Sequence, residues 1–320
     1  MTKARIQLID EVIATLENAG FDLSSRCDVR PSCFDLVARK GEQLILIKIL
    51  SNIDSITEDD TRALQLIAHF FNATPLIVGM KTRRGELDSG VVYKRYGVST
   101  IAPNSLSRVI NEQQMPREFI QRGGRFVAID GAKLREARIS QSVTKEELAK
   151  CVEVSARAIL AYEKDEMDVS KDVAMHLEKV LETDLVIPID IIRDRPKEQP
   201  ILKTRNPETT PDIEKRVNVF FERLGMRVLW SDRAPFHVAA KEDGPPLMTG
   251  IGSIKSVALQ KRMEILKSVS YVTESEAIII VEEGHAEENI ADLPVIRQLE
   301  LDDIEKTHEL KKIISERSSN

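Results

Sequence analysis

No stretch of this 320-residue chain approaches the ~18 uninterrupted apolar residues that a spanning helix needs. Its most hydrophobic run, Leu44 to Leu50, is short and carries Lys48 in its middle, so a membrane partner is not expected. The N-terminus, Met1-Thr-Lys-Ala-Arg-Ile, enters an amphipathic pattern at once and lacks the apolar stretch and small-residue cleavage site of a signal peptide. A cytoplasmic location is expected. Cysteine is scarce: Cys27, Cys33 and Cys151 are odd in number and have no Cys-x-x-Cys spacing. That excludes a disulfide framework and a zinc site and predicts buried, reduced thiols. A basic excess is also missing. With 46 Lys and Arg against 52 Asp and Glu, net charge is −6, so any DNA contact is local and not a product of the overall field. No Walker-type or dinucleotide-type glycine motif is present, because the candidate Gly250-Ile-Gly252 has Lys255 where a third glycine would fall. His69, His176, His237, His285 and His308 have no ligand spacing, so neither a metal nor a cofactor is expected.

What is present is an ordinary globular balance, 42% apolar and 31% charged, over a length that suggests two or three folded units. Ile6, Ile9, Val12, Ile13 and Leu16 lie at helical spacing before Gly20, a residue that takes a left-handed stop cheaply. Short β-prone runs follow at Phe21-Asp-Leu, Cys33 to Arg39 and Leu44 to Leu50, the last two separated by Lys40-Gly-Glu. Thr57 and Asp60 suggest a capping box opening a helix over about 57–71, and Pro75-Leu-Ile-Val-Gly reads as a buried strand. Val91-Val-Tyr, Val98-Ser-Thr-Ile and a helix from about Asn104 extend an α/β domain with a mixed sheet.

The far end repeats this pattern. Leu16-Glu-Asn-Ala-Gly20 aligns with Phe221-Glu-Arg-Leu-Gly225 at an offset of 205, and Phe34-Asp-Leu-Val-Ala-Arg-Lys with Phe236-His-Val-Ala-Ala-Lys at an offset of 202. A helix over about Ser256–Ser270 and a strand Ala277-Ile-Ile-Ile-Val complete the parallel, which predicts a second, diverged copy of the module. Between the copies, residues 131–192 read as helical throughout. Residues 193–211 carry four prolines and many charges, as a linker does. Leu299 to Ser318 reads as a charged helix or tail with a solvated face.

The middle segment holds Lys133-Leu-Arg-Glu-Ala-Arg138, Thr144-Lys-Glu-Glu-Leu-Ala, Val154-Ser155 and Ala156-Arg-Ala-Ile-Leu-Ala-Tyr-Glu163. Thr144 with Glu147 is a capping box, Ala149 is small enough for a close helix crossing, and Ser155 caps the helix that follows. Two short helices joined by a tight turn form a unit that can place its second helix in the major groove of DNA. The stretch resembles the helix-turn-helix domain of the Cro/C1 type over about 60 residues. The whole chain is similar to archaeal helix-turn-helix transcriptional regulators that carry this domain mid-chain after a Gly-Gly segment such as Arg122-Gly-Gly-Arg. The resemblance implies that the recognition helix begins at Ser155, that Ala156, Arg157 and Leu160 face base edges, and that Lys145, Ser155 and Lys164 meet phosphates. Double-stranded DNA is the partner it implies, and a homodimer the working form. Two departures stand out: Glu153 replaces the usual turn glycine, and residues 131–190 hold nine cations against thirteen anions, although 131–165 hold seven against six.

The first module raises a second chemistry. An acid, then a turn, then acid-x-Lys on the next strand resembles the restriction-endonuclease-like nucleases, in which two carboxylates hold Mg²⁺ and the lysine stabilises charge at the attacked phosphate. Asp35 and Lys48 occupy the first and last of these positions, but Leu46 replaces the middle acid, and the second copy has His237 and Gly250 instead. Both copies are therefore expected to be inactive relatives. Lys81-Thr-Arg-Arg84 is a basic loop read as a solvated surface run.

The expectation is a multidomain protein. An α/β nuclease-like module spans 1–125, an all-α helix-turn-helix domain 126–192, a linker 193–211, and a second diverged α/β module with a charged C-terminal helix 212–320. The expected function is sequence-specific regulation of transcription without enzymatic activity, with an effector ligand left open. The alternatives are a metal-dependent nuclease targeted by the helix-turn-helix, or a protein-binding scaffold.

Overall fold

The computed structural model describes residues 3–195, 211–282 and 284–318, so most of the expected linker lies outside the described residues. Those residues divide into two compact units, one drawn from Met1–Thr15, Leu50–Ser55 and Ile77–Ile191, the other from Leu16–Ile49, Ile56–Leu76 and Ile192–Asn320. The architecture is mixed α/β, with two sheets. No described helix is long and apolar enough to cross a membrane.

The first run of elements is α1 (Lys3–Asn18), β1 (Asp22–Leu23), β2 (Leu36–Lys40), β3 (Gln43–Asn52), α2 (Glu58–Phe70), β4 (Thr74–Lys81), β5 (Val91–Arg95), β6 (Val98–Ile101) and α3 (Pro103–Glu112). Local chemistry explains the boundaries. Gly20 sits just after α1 at φ 77°, where a Cβ would be strained. Thr57 accepts the N–H of Asp60 at 3.1 Å and caps α2. The shorter Asp60 reaches the Thr57 hydroxyl at 2.7 Å, so only half of a capping box is made.

Next come β7 (Glu118–Gln121), β8 (Gly124–Ile129), α4 (Gly131–Ser140), α5 (Lys145–Cys151), α6 (Ala156–Glu163), β9 (Val169–Ser170), α7 (Lys171–Leu181) and β10 (Val186–Ile187). The reading of 131–192 as helical throughout is corrected here. β9 and β10 both pair antiparallel with β8, through Val127–Val169 and Ile129–Val186. Each strand is two residues long and is held by its partner rather than by a local pattern, so no periodicity announces it. The four helices and β8 share one core, with Leu134, Leu148, Ile159, Tyr162, Leu177 and Leu181 buried beside Val127 and Ile129.

The last run is α8 (Asp212–Arg223), β11 (Arg227–Trp230), β12 (Val238–Lys241), β13 (Leu247–Gly252), α9 (Val257–Thr273), β14 (Ala277–Val281), β15 (Asn289–Ile290), β16 (Leu293–Arg297) and α10 (Thr307–Ser318). Sheet order is β1-β2-β3-β4-β6-β5-β7-β8-β10 in one sheet, with β9 on β8, and β11-β12-β13-β14-β16-β15 in the other. The first six positions of the two sheets therefore carry corresponding strands. Register agrees residue by residue: Leu36 faces Ile47 and Val37 faces Leu46, while Val238 faces Thr249 and Ala239 faces Met248, each at an offset of 202. Asp22 faces Arg39 as Arg227 faces Lys241, with the offset of 205 on the first strand.

Within the second unit, corresponding residues exchange contacts. Arg39, near the end of β2, pairs with Glu274 at the C-cap of α9. Lys241, its counterpart at the end of β12, donates to the Phe70 carbonyl at the end of α2. Such reciprocity is the mark of two-fold packing, here between segments of one chain. Phe71 and Phe236 stack at 5.7 Å, and the Cys33 N–H donates to the Arg233 carbonyl at 2.9 Å.

One further expectation is corrected: Cys151 is exposed, whereas Cys27 and Cys33 are buried. α10 exposes His308, Lys311, Lys312 and Glu316 on one face, while Leu310 and Ile314 join the core of the second unit and Arg317 holds Glu300 at 2.7 Å.

Gly131 opens α4 under close constraint: a Cβ there would lie 2.4 Å from the Tyr162 carbonyl oxygen and 2.9 Å from the Glu163 carbonyl carbon. Gly131→Ala is expected to destabilise the helical segment by about 1–3 kcal/mol, as overpacking against backbone does. Thermal denaturation checks this, and an unchanged midpoint would mean that α4 can shift away from the end of α6.

Candidate nucleic-acid interface

α5 begins with a full capping box: Thr144 accepts the Glu147 N–H at 3.2 Å, and the Glu147 carboxylate accepts the Thr144 N–H at 2.8 Å. The Thr144 backbone hydrogen bond holds the Glu147 carboxyl below its usual pKa. Leu148 and Ala149 face inward, and the Val154 N–H closes the following turn on the Ala149 carbonyl at 3.0 Å. Glu153 lies in this turn at φ 57°. A left-handed conformation costs a non-glycine residue about 1 kcal/mol, so the turn keeps its shape despite its residue.

α6 begins at Ser155, whose hydroxyl accepts the Ala158 N–H at 3.1 Å. Ile159 and Tyr162 are buried and fix one face of the helix to the core. The opposite face carries Arg157 and Leu160, both exposed, with Ala156 half-buried beside them. Arg157 has no ion-pair partner among the described residues. Lys145 is half-buried at the first position of α5. Lys164 is exposed at the end of α6 and comes within 3.8 Å of Glu166, a surface pair of small energetic weight. The structure thus collects Ser155, Ala156, Arg157 and Leu160 on the first turns of one short helix and leaves Lys145 and Lys164 at helix ends.

One interaction escaped sequence reasoning. Arg138 on α4 donates through Nε to the Glu163 carboxylate at 2.6 Å and through Nη1 to the Val143 carbonyl at 2.9 Å. Both side chains are nearly buried, 11% and 3% exposed. The signal was available: Arg138 follows Leu134 by four residues and Glu163 follows Ile159 by four, so opposite charges stand at core-facing helical positions.

In the second unit, Asp35 and Lys48 come together. Asp35 is fully buried, and its Oδ2 accepts the Ile49 N–H at 2.8 Å and lies 3.6 Å from Lys48 Nζ. Lys48 Nζ donates to the Ser32 carbonyl at 2.6 Å. Arg30 approaches the other carboxylate oxygen at 3.6 Å. In the second copy, His237 Nδ1 accepts the Ile251 N–H at 2.9 Å, which is the Asp35 arrangement displaced by 202 residues. Gly250 stands at the Lys48 position, and the Cβ direction there is filled by Ile279 Cδ1 at 2.8 Å. Burial pushes the Cys27 and Cys33 thiols up, which keeps them protonated and poorly nucleophilic.

These residues do not fit a divalent cation. The carboxylate is enclosed and engaged by an N–H and an ammonium, and Leu46 at the second acid position is 2% exposed. Among the described residues no group of three or more His, Cys, Asp or Glu could hold a metal. A cation that needs about six oxygens finds one inaccessible carboxylate.

Two stability tests follow. Removing either partner of the Arg138–Glu163 pair strands a nearly buried charge, so Arg138→Met or Glu163→Leu alone is expected to lose roughly 3–5 kcal/mol, and the double variant less than either. Denaturant titration of all three measures this, and additive losses would contradict coupling. Asp35→Ala leaves the Lys48 ammonium without its carboxylate and is expected to lower stability by a similar ~3–5 kcal/mol. An unchanged denaturation midpoint would remove the structural role assigned to Asp35.

Comparison with known proteins bears on both regions. Residues 5–116 match the PD-(D/E)XK superfamily domain. No solved structure matches the chain. A protein of Thermococcus kodakarensis named "Putative HTH-type transcriptional regulatory protein" is 36% identical over 310 residues, covering 97% of this chain and 95% of its own. A protein of the same name from Methanococcoides burtonii is 34% identical over 314 residues, with 97% of each chain covered. Another from Pyrococcus furiosus is 36% identical over 316 residues, with 98% of each covered. Similarity of this degree along nearly the whole of both chains includes the nuclease-like fold and the helical segment alike, and the chain belongs to this archaeal family of proteins named as HTH-type transcriptional regulators.

Proposed function

We propose that the chain is a regulator of transcription that binds double-stranded DNA sequence-specifically, with α5 and α6 as a helix-turn-helix of the Cro/C1 type. The observation that carries this reading is the presentation of α6: capped at Ser155, anchored by Ile159 and Tyr162, with Arg157 and Leu160 exposed. A helix held on one face and open on the other is what major-groove docking requires. The names of the relatives point the same way.

In this reading Arg157 donates two bonds to a guanine edge, while Ala156 and Leu160 make apolar contact with neighbouring bases. Lys145 and Lys164 meet phosphates as charges, and Ser155 does so as a helix-end donor; they set register rather than sequence. The segment has little positive surplus, so a homodimer that doubles the phosphate contacts is the working form. The flanking α/β segments serve assembly or sensing. The nuclease reading retains the support of the PD-(D/E)XK match, but the enclosed Asp35 and the apolar Leu46 weigh against cleavage.

Selection of bound fragments from a random DNA pool tests the proposal. The full chain is expected to enrich a shared, two-fold symmetric motif, and Arg157→Ala to lose about 1–3 kcal/mol of discrimination at one base pair of each half. Recovery of the same motif with the variant would remove α6 as the reader. Mg²⁺-dependent cleavage of the selected DNA that disappears with Asp35→Asn would revive the enzyme. Glu153→Gly relieves the left-handed turn and removes a negative charge beside α6. It is expected to gain about 1 kcal/mol of stability and to bind DNA more tightly, which melting and a binding titration check.

A further inference from the structure

Within the first unit, away from α6, a recess of about 490 Å³ is lined by Arg108, Arg117, Arg125 and Lys171 together with Asp88 and Glu118. Four cations face two carboxylates. Both carboxylates are already engaged: Glu118 accepts from Lys171 at 2.6 Å and from Arg125 at 3.1 Å, and Asp88 pairs with Arg125. The hydrogen bond from Lys171 holds the Glu118 carboxyl below its usual range against the effect of burial, with Arg125 adding to it.

The surplus charge resides on Arg108 and Arg117. Arg108 spends its guanidinium on neutral acceptors, Gln114 Oε1 at 3.1 Å and Ser89 Oγ at 3.4 Å, with Glu112 only at the 4.0 Å limit of an ion pair. Arg117 is exposed and has no ion pair among the described residues. Ser105, in the first turn of α3, also lines the recess, and Ala102 at the N-cap of that helix provides no side-chain acceptor. The uncapped end of a ten-residue helix adds its own positive potential to that of the guanidinium groups.

We infer that this recess is a binding site for a small anion carrying two or more phosphate or carboxylate groups. Guanidinium forks match such groups in planar, bidentate geometry, and a concave wall with a surplus of positive charge concentrates them. The volume lies in the range of about 300–1,000 Å³ typical of small-molecule sites, and a recess of this kind suits a compact anion better than the convex backbone of a duplex. The site also has a mechanical connection. Lys171 is the first residue of α7 and Arg125 belongs to β8, whose buried residues share a core with Ile159 and Tyr162 of α6. A ligand that takes Lys171 and Arg125 from Glu118 changes what holds β7 to the start of α7.

Calorimetric titration of the full chain at low ionic strength tests this, with pyrophosphate and citrate as separate probes that distinguish phosphate from carboxylate preference. Saturable one-site binding of at least one probe is expected. Arg117→Ala, an exposed change that leaves the packing alone, should weaken it by about tenfold or more, while Arg84→Ala, a cation in a different exposed loop, should leave it unchanged. Absence of saturation by both probes up to about 10 mM would overturn the site. Equal weakening by the two variants would reduce it to general surface charge. Loss of duplex DNA affinity in Arg117→Ala without any probe binding would make it part of a DNA footprint instead. None of these readouts requires that α6 reads bases, so the site can fail while the proposed function stands.

Discussion

The ion pair between Arg138 and Glu163 is the constraint on which the middle of the molecule depends. It joins the end of α4 to the end of α6, and the second Arg138 bond, to the Val143 carbonyl, fixes the turn that leads into α5. A hydrophobic contact would hold the helices together but would allow α6 to roll about its axis. A charge-assisted bond with both partners nearly buried tolerates little rotation. Rolling matters because Arg157 and Ile159 mark opposite faces of α6, one exposed and one buried, and any roll turns Arg157 away from the direction in which the core presents it. Gly131 acts in the same direction, since it lets α4 approach the carbonyl of Tyr162 where no side chain fits.

The two α/β segments share a backbone arrangement and differ in the side chains that serve it. At the place where a nuclease of this fold keeps a metal-binding carboxylate, Asp35 accepts a backbone N–H from the neighbouring strand, and His237 accepts the corresponding one. What the two positions share is an acceptor for an N–H that would otherwise be buried without a partner, a requirement any acceptor of suitable length satisfies. Lys48 is retained only where a carboxylate accompanies it. Where the acceptor is an imidazole, the lysine position is a glycine packed under Ile279.

Much of this was legible in the sequence because it is encoded locally. The glycine stops after Asn18 and Leu224 reappear as left-handed residues at Gly20 and Gly225, and the apolar run Leu36–Ala38 and the offset of 202 residues reappear in strand register. The capping box at Thr144 and the cap at Ser155 are visible because side chain and backbone partner lie three residues apart. What was not legible depends on residues distant in sequence. β9 and β10 exist because β8 offers them hydrogen bonds, the end of α10 is tied down because Glu300 accepts from Arg317, and the recess around Arg108 and Lys171 gathers side chains more than sixty positions apart. The exposure of Cys151 belongs with these, since it follows from which side of α5 the core occupies.

The central claim is that α6 lies in the major groove with Arg157 against a guanine. Methylation interference on DNA selected by the full chain addresses it most directly, because N7 of guanine is exposed in the major groove and N3 of adenine in the minor. The account predicts that N7 methylation at one or two guanines in each half of the motif blocks binding by the native chain and is without effect on residual binding by Arg157→Ala. Interference confined to adenine N3, or identical patterns for the two proteins, would contradict it.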